Sequence, residues 1–208
     1  MQMTVSRPFT MKGLFHHVTI RRNDVYKGML RGGQSICIQI HPGDFILDVD
    51  ARRYIVRGVT GEALHIELDK ADVPHMNGQP LQPFAAAVDE VNPYDDQAVA
   101  RLPLYQQHYA MCRRICGADT LDEAVLENGT LPLLGAAESI GHEALADILR
   151  RVHEACPEAD DPVDETEEAL ASQVEAICRI SHKDWDDLCL NLCDRMTAYL
   201  IDGYCASK

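Results

Sequence analysis

The first third of the chain alternates apolar and polar residues with the period of a β-strand. Side chains on a strand point to opposite faces in turn, so every second residue shares a face. The clearest runs are Ile36, Ile38, Ile40 and Leu64, Ile66, Leu68. Turn signals such as Pro42-Gly43 and Thr60-Gly61 separate about six such runs between residues 3 and 70. The pattern predicts a small antiparallel β-module, barrel-like or sandwich-like.

The C-terminal part has a different period, with apolar residues three and four positions apart. Residues 164–205 read as two amphipathic helices joined at Ser181–Asp184, where Ser181 and Asp184 form a helix-start signal. Gly203 is expected to end the second helix. Leu170, Val174, Ile177 and Cys178 define the apolar face of the first. The pattern predicts a helical hairpin.

Three further helical patterns precede this hairpin. One ends near Cys116, and Pro103 should kink it or mark its true start. Thr120 begins a short helix through a capping box, and Ser139 is expected to begin another. Residues 131–135 are expected to form a loop or a half-turn. The C-terminal part is therefore predicted to be a helical bundle.

Residues 71–95 separate the two patterns and are rich in proline. Pro74, Pro80, Pro83 and Pro93 make this stretch the best linker candidate. We expect an α+β fold with a β-rich module over residues 1–72, a linker over 73–92 and an acidic helical bundle over 93–208.

Charge divides the chain at nearly the same place. Residues 1–70 carry ten Lys and Arg against seven Asp and Glu, whereas residues 71–208 carry nine against 26. An acidic surface disfavours nucleic acid and anionic membranes and favours basic protein surfaces. The acidic residues expected to meet a partner are Glu165, Glu167, Glu168, Asp184, Asp186 and Asp187.

The basic residues of the β-module suggest an alternative. Arg21, Arg22, Arg52 and Arg53 lie at or near predicted turns and could gather at one end of a barrel to bind nucleic acid. No pair of exposed aromatic residues on one strand is evident for stacking bases, and the module's positive charge is small. An ordinary solvated surface explains the arginines as well.

Eight cysteines and a start without the apolar core of a secretory signal predict reduced thiols in the cytoplasm. Cys178 and His182 are four residues apart, as are Cys189 and Cys193, and His108, Cys112 and Cys116 repeat this spacing. Such pairs share a helix face, so the hairpin could supply four ligands to zinc or, second, to an iron–sulfur cluster. Cysteine is also a common buried residue, and packing without a cofactor is the simpler interpretation.

No nucleotide-binding, nucleophile-elbow or zinc-protease motif occurs in the chain, and no run of 18 apolar residues predicts a membrane span. We therefore favour a non-enzymatic cytoplasmic regulatory protein that engages a basic protein partner, such as a nucleic-acid-handling enzyme that it inhibits. The alternatives are a metalloprotein and a nucleic-acid-binding protein. A catalytic site built from residues distant in sequence also stays open.

Overall fold

The computed structural model describes residues 1–10, 13, 15–61, 63–160 and 168–207, except the side chain of His182. The chain forms two compact units, Met1–Ala85 and Ala86–Lys208, which we call the β unit and the helical unit. The α+β prediction, with strands first and helices second, is confirmed in these terms.

The described part of the β unit contains ten strands in two open five-stranded sheets. The strands are β1 (Gln2–Ser6), β2 (Val18–Arg22), β3 (Val25–Leu30), β4 (Ser35–Gln39), β5 (Gly43–Val49), β6 (Arg52–Val59), β7 (Ala63–Leu68), β8 (Pro74–Met76), β9 (Gln79–Pro80) and β10 (Gln82–Phe84). One sheet has the order β4-β1-β7-β8-β9 and the other β10-β6-β5-β2-β3.

Two details of the β prediction need correction. The sheets do not close into a barrel. They are also not wholly antiparallel, because β1 and β7 run parallel with Gln2 beside Ala63 and Ser6 beside Glu67. A parallel pair needs a long crossover, and here the intervening chain supplies four strands of the other sheet. Alternation fixes which face a side chain occupies, but it does not fix which strand lies alongside.

Both sheets contribute side chains to one hydrophobic core. The predicted inward residues Ile38, Ile40, Ile66 and Leu68 are buried there, and Ile36 and Leu64 pack against it. Val18 and Ile20 of β2 and Phe45 and Leu47 of β5 come from the second sheet. A core shared by two sheets matches the sandwich-like form of the prediction better than the barrel-like form.

Residues 73–92, predicted as a linker, contain β8, β9 and β10. Strands β9 and β10 lie at the edges of their sheets, where a missing proline N–H does not interrupt a ladder. This explains how Pro80 and Pro83 fit into strands. The division between the compact units falls after Ala85.

The described part of the helical unit contains seven α-helices. They are α1 (Asp96–Val99), α2 (Leu104–Gly117), α3 (Leu121–Asn128), α4 (Thr130–Ser139), α5 (Glu143–Ala155), α6 (Glu168–Cys178) and α7 (His182–Ala206). Pro103 marks the true start of α2, and the side chains of Thr120 and Ser181 cap α3 and α7 as predicted.

Three helix boundaries were predicted wrongly. Residues 131–135 lie inside α4, because the chain restarts as a helix directly after Gly129, whose φ is 75°. Ser139 ends α4, and the N-cap of α5 is His142, whose Nδ1 accepts a hydrogen bond from the Leu145 amide. Gly203 lies within α7, where the ring of Tyr105 packs so closely that a Cβ would lie 2.4 Å from its Cγ.

Candidate functional site

The cysteines proposed as metal ligands lie in two different surroundings. Cys189 and Cys193 are on α7 beside Cys116 of α2, whereas Cys178 ends α6 and has Asp122, Cys156 and Arg151 among its charged or titratable neighbours. The side chain of His182 is not described. Among the described residues, no group of three or more His, Cys, Asp or Glu could hold a metal ion. The four-ligand set of Cys178, His182, Cys189 and Cys193 stays a prediction.

Cys116, Cys189 and Cys193 form a thiol cluster between α2 and α7. The Sγ atoms of Cys116 and Cys193 are 3.7 Å apart, and Cys116 Sγ is 3.9 Å from the carbonyl oxygen of Cys189. All three residues are partly exposed. The side-chain hydrogen bond between Cys116 and Cys189 raises the pKa of the Cys116 thiol and lowers that of the Cys189 thiol, and the Cys193 sulfur raises the pKa of Cys116 further.

Cys112 and Cys178 differ from this cluster because they are buried. Burial disfavours the thiolate and raises the pKa of each to about 12. Such thiols are unreactive near neutral pH and fill space in the core. The packing interpretation therefore suits these two cysteines. The thiols of the cluster are partly exposed, so they can react with reagents from the solvent.

The four predicted basic residues of the β unit do not share one face. Arg21 lies opposite Asp48 across β2 and β5, and Asp48 lies opposite Arg53 across β5 and β6. Arg22, the next residue along β2, points to the other face and stacks on the Phe45 ring at 5.1 Å. Arg52 is exposed and is also offset from Arg53 by one position.

The carboxylate of Asp48 on β5 lies between Arg21 on β2 and Arg53 on β6. Its Oδ1 accepts a hydrogen bond from Arg53 Nε at 3.1 Å, and Arg53 also reaches Asp24 at 3.4 Å. The other oxygen, Oδ2, is buried without a hydrogen-bond partner among the described residues. Burial raises the pKa of Asp48 to about 6, although the Arg53 charge acts in the opposite direction.

The acidic residues predicted to meet a partner are exposed wherever the structure describes them. Glu168 lies in the first turn of α6, and Asp184, Asp186 and Asp187 lie near the start of α7. The carboxylate of Asp184 also accepts a hydrogen bond from Ser181 Oγ at 2.6 Å. Glu165 and Glu167 fall outside the described residues.

A cleft of about 130 Å³ lies where the beginning of α3, the end of α6 and the beginning of α7 meet. Its acidic lining residues are Asp119, Asp122 and Glu175, with Arg179 as a single basic residue. Its apolar lining consists of Leu121, Cys178, Ile180 and Trp185. The cleft thus combines carboxylates with an apolar wall, and we call it the acidic cleft.

Sequence reasoning did not identify Asp119, Asp122 or Glu175 as one group, because two of them lie at or near the start of α3 and the third lies in α6, more than 50 residues later in the chain. The local signals explain only their positions in the chain: Asp119 and Asp122 flank the Thr120 cap, and Glu175 is four residues before Arg179. Trp185 of α7 is also buried in this region. Its place in the cleft depends on α3, which no pattern in the hairpin could reveal.

Comparison with protein-family models, with curated proteins and with solved structures finds no match to the chain. In the part of the chain that the structure describes, no helix combines the length and the apolar character needed to cross a membrane.

Proposed function

We propose that this is a non-enzymatic, cytoplasmic regulatory protein that binds a basic protein segment through the helical unit. The acidic cleft accepts one arginine or lysine side chain of the partner. The observation that supports this most directly is the convergence of Asp119, Asp122 and Glu175 around an apolar wall that includes Trp185.

The size of the cleft favours a single side chain as its occupant. Pockets for small-molecule ligands commonly span roughly 300–1,000 Å³, and this cleft measures about 130 Å³. The aliphatic stem of a lysine or arginine can pack on Leu121, Ile180 and the Trp185 surface while its charged end reaches the carboxylates. An apolar ligand would leave those carboxylates desolvated, which is unfavourable.

The charge of the surroundings favours a cation as well. The helical unit carries nine Lys and Arg against 25 Asp and Glu, so its field attracts a basic partner and accelerates association. Within the cleft, Arg179 pairs with Glu175 at 3.3 Å, but both side chains are mostly exposed. Exposed pairs of this kind contribute at most about 1 kcal/mol, so an incoming cation can displace the arginine.

Exposed acidic residues near the cleft extend the surface for a longer basic segment. Asp184, Asp186 and Asp187 lie on the first turns of α7, the helix that contributes Trp185. A partner whose basic face normally binds nucleic acid would find a comparable array of negative charges here. We therefore include inhibition of a nucleic-acid-handling enzyme in the proposal.

The test uses a fluorescein-labelled peptide of alternating arginine and glycine, titrated with the full chain at about 0.05 M and 0.3 M salt. We expect binding that weakens with salt, together with a change in the emission of Trp185, which is the single tryptophan of the chain. Replacing Asp119 and Asp122 by Asn and Glu175 by Gln should weaken binding at least about tenfold, or 1.4 kcal/mol.

A charge-matched variant separates the cleft from general attraction. Glu127→Gln, Glu143→Gln and Glu154→Gln also remove three negative charges, at exposed positions of the same unit that do not line the cleft. This control should lose less than about threefold in affinity and keep the Trp185 response. Equal losses in both triple variants, or peptide binding without any change in Trp185 emission, would refute the role of the cleft.

A further inference from the structure

The thiol cluster of Cys116, Cys189 and Cys193 is not used by the proposed binding function. We propose that Cys116 and Cys193 are a redox-active pair that forms a disulfide by exchange with a low-molecular-weight disulfide, and thereby links α2 covalently to α7. This inference is independent of the acidic cleft.

The geometry of the two helices brings the sulfurs together. Their antiparallel contact includes the His108 ring, whose Nδ1 is 3.1 Å from the Tyr199 hydroxyl, and the close approach of Tyr105 to Gly203. Near the other end of the same contact, the sulfurs of Cys116 and Cys193 are 3.7 Å apart. A disulfide bond is about 2.05 Å long, so the two sulfurs must approach each other by roughly 1.7 Å to form one.

Accessibility and chemistry distinguish this pair from the other helical cysteines. Cys112 and Cys178 are buried, whereas Cys116 and Cys193 are partly exposed and within reach of a small disulfide. The Cys116 and Cys193 sulfurs also lie within hydrogen-bonding distance, so a sulfur that forms a mixed disulfide remains next to the second thiol. We write the exchange with Cys193 as the first nucleophile, and the same disulfide and the same two small thiols result if Cys116 attacks first.

The exchange balances without any further reagent. Cys193 loses its proton, and its thiolate attacks one sulfur of the small disulfide, forming a mixed disulfide and releasing one thiolate, which takes up a proton. Cys116 then loses its proton and attacks Cys193 Sγ, releasing the second thiolate, which is protonated in turn. Two protein thiols are oxidised to one disulfide, and one small disulfide is reduced to two thiols.

The test treats the full chain with oxidised glutathione, blocks the remaining thiols with N-ethylmaleimide and maps the tryptic peptides by mass spectrometry. Trypsin cleaves after Arg114, Arg150, Lys183 and Arg195, which gives one peptide over residues 115–150 and one over 184–195. The first contains Cys116, and the second contains Cys189 and Cys193. We expect these two peptides to be joined, and to separate again after reduction.

Single variants assign the bond and provide matched controls. Cys116→Ser and Cys193→Ser should each abolish the linked peptide, whereas Cys189→Ser, one helical turn away on the same peptide, should retain it. Glutathione added to the exposed Cys37 confirms that the oxidant has reacted. Modification of Cys37 without any linked peptide in the wild-type chain would overturn the proposal. Loss of the link in Cys189→Ser but not in Cys193→Ser would also overturn it.

Discussion

The β unit and the helical unit carry almost the same number of basic residues, but they differ in the number of acidic residues and in how these are arranged. The β unit has ten Lys and Arg against eight Asp and Glu, and the helical unit has nine against 25. In the β unit, acids and bases alternate across neighbouring strands, as in the row Arg21, Asp48, Arg53. In the helical unit, the 25 acidic residues outnumber the nine basic residues, so the basic residues are too few to pair with most of them. The net charge therefore gives the sign of the surface charge of the helical unit, whereas in the β unit it hides an alternation of acidic and basic residues.

Ion pairs also affect the stability of the β unit, because some of them lie in its interior. The side chain of Arg7 is 3% exposed and donates two hydrogen bonds to Asp72, at 2.7 and 2.9 Å. It also donates to the carbonyl oxygens of His16 and Leu30. One arginine thus joins four parts of the β unit.

The largest expected effect is that of Arg7→Met. The replacement leaves the Asp72 carboxylate and two carbonyl groups without their donor, which should lower the free energy of unfolding of the β unit by about 3–5 kcal/mol. Hydrogen exchange of the β1 and β7 amides measures this change. Arg57→Met is the matched control, because Arg57 pairs with Asp44 at 2.9 Å but is 49% exposed. It should cost at most about 1 kcal/mol, and equal losses would contradict the importance of burial.

A smaller effect is expected from the pH dependence of Asp48. The pKa of its carboxyl rises from 3.8 to about 6 on folding, so the folded β unit binds the proton more tightly than the unfolded chain. The resulting stability is fully present below about pH 4 and is lost as the pH rises through about 6. Asp48→Asn should remove on the order of 2–3 kcal/mol of this dependence between pH 4 and pH 7.

Two measurements check the Asp48 prediction. Carboxyl NMR titration of the wild-type chain should give a midpoint near pH 6 for Asp48. Hydrogen exchange of the β5 amides should show that wild type loses stability relative to Asp48→Asn as the pH rises. A midpoint near 4, with parallel pH profiles for the two proteins, would show that Asp48 is solvated and not buried.

Local patterns predicted the classes of structure but not the neighbours of each element. The alternation at Ile36–Ile40 and the caps at Thr120 and Ser181 are local, and the structure contains them. The parallel pairing of β1 with β7 depends on contacts about 60 residues apart along the chain, so no local pattern encodes it.

The same limit applies to the candidate sites. The four-residue spacing of Cys189 and Cys193 correctly places them on one side of α7, but it cannot reveal that Cys116 lies opposite. The same spacing made Cys178 as good a candidate for a metal ligand as Cys189. The structure shows that Cys178 is buried and lines the acidic cleft. Spacing identifies which residues share a helix face, whereas the packing of other helices decides what that face meets.

The smallest expected effect, and the most direct test of the comparison, is the response of each unit to salt. Raising the salt from about 0.05 M to about 1 M screens repulsion among the surplus acids, so the helical unit should gain about 1 kcal/mol in urea unfolding followed by Trp185 emission. The β unit should gain nothing, because screening weakens its exposed ion pairs as much as its repulsions. Hydrogen exchange of β5 and β6 amides measures this. A loss of stability in the helical unit at high salt would show that attraction, and not repulsion, dominates its charges.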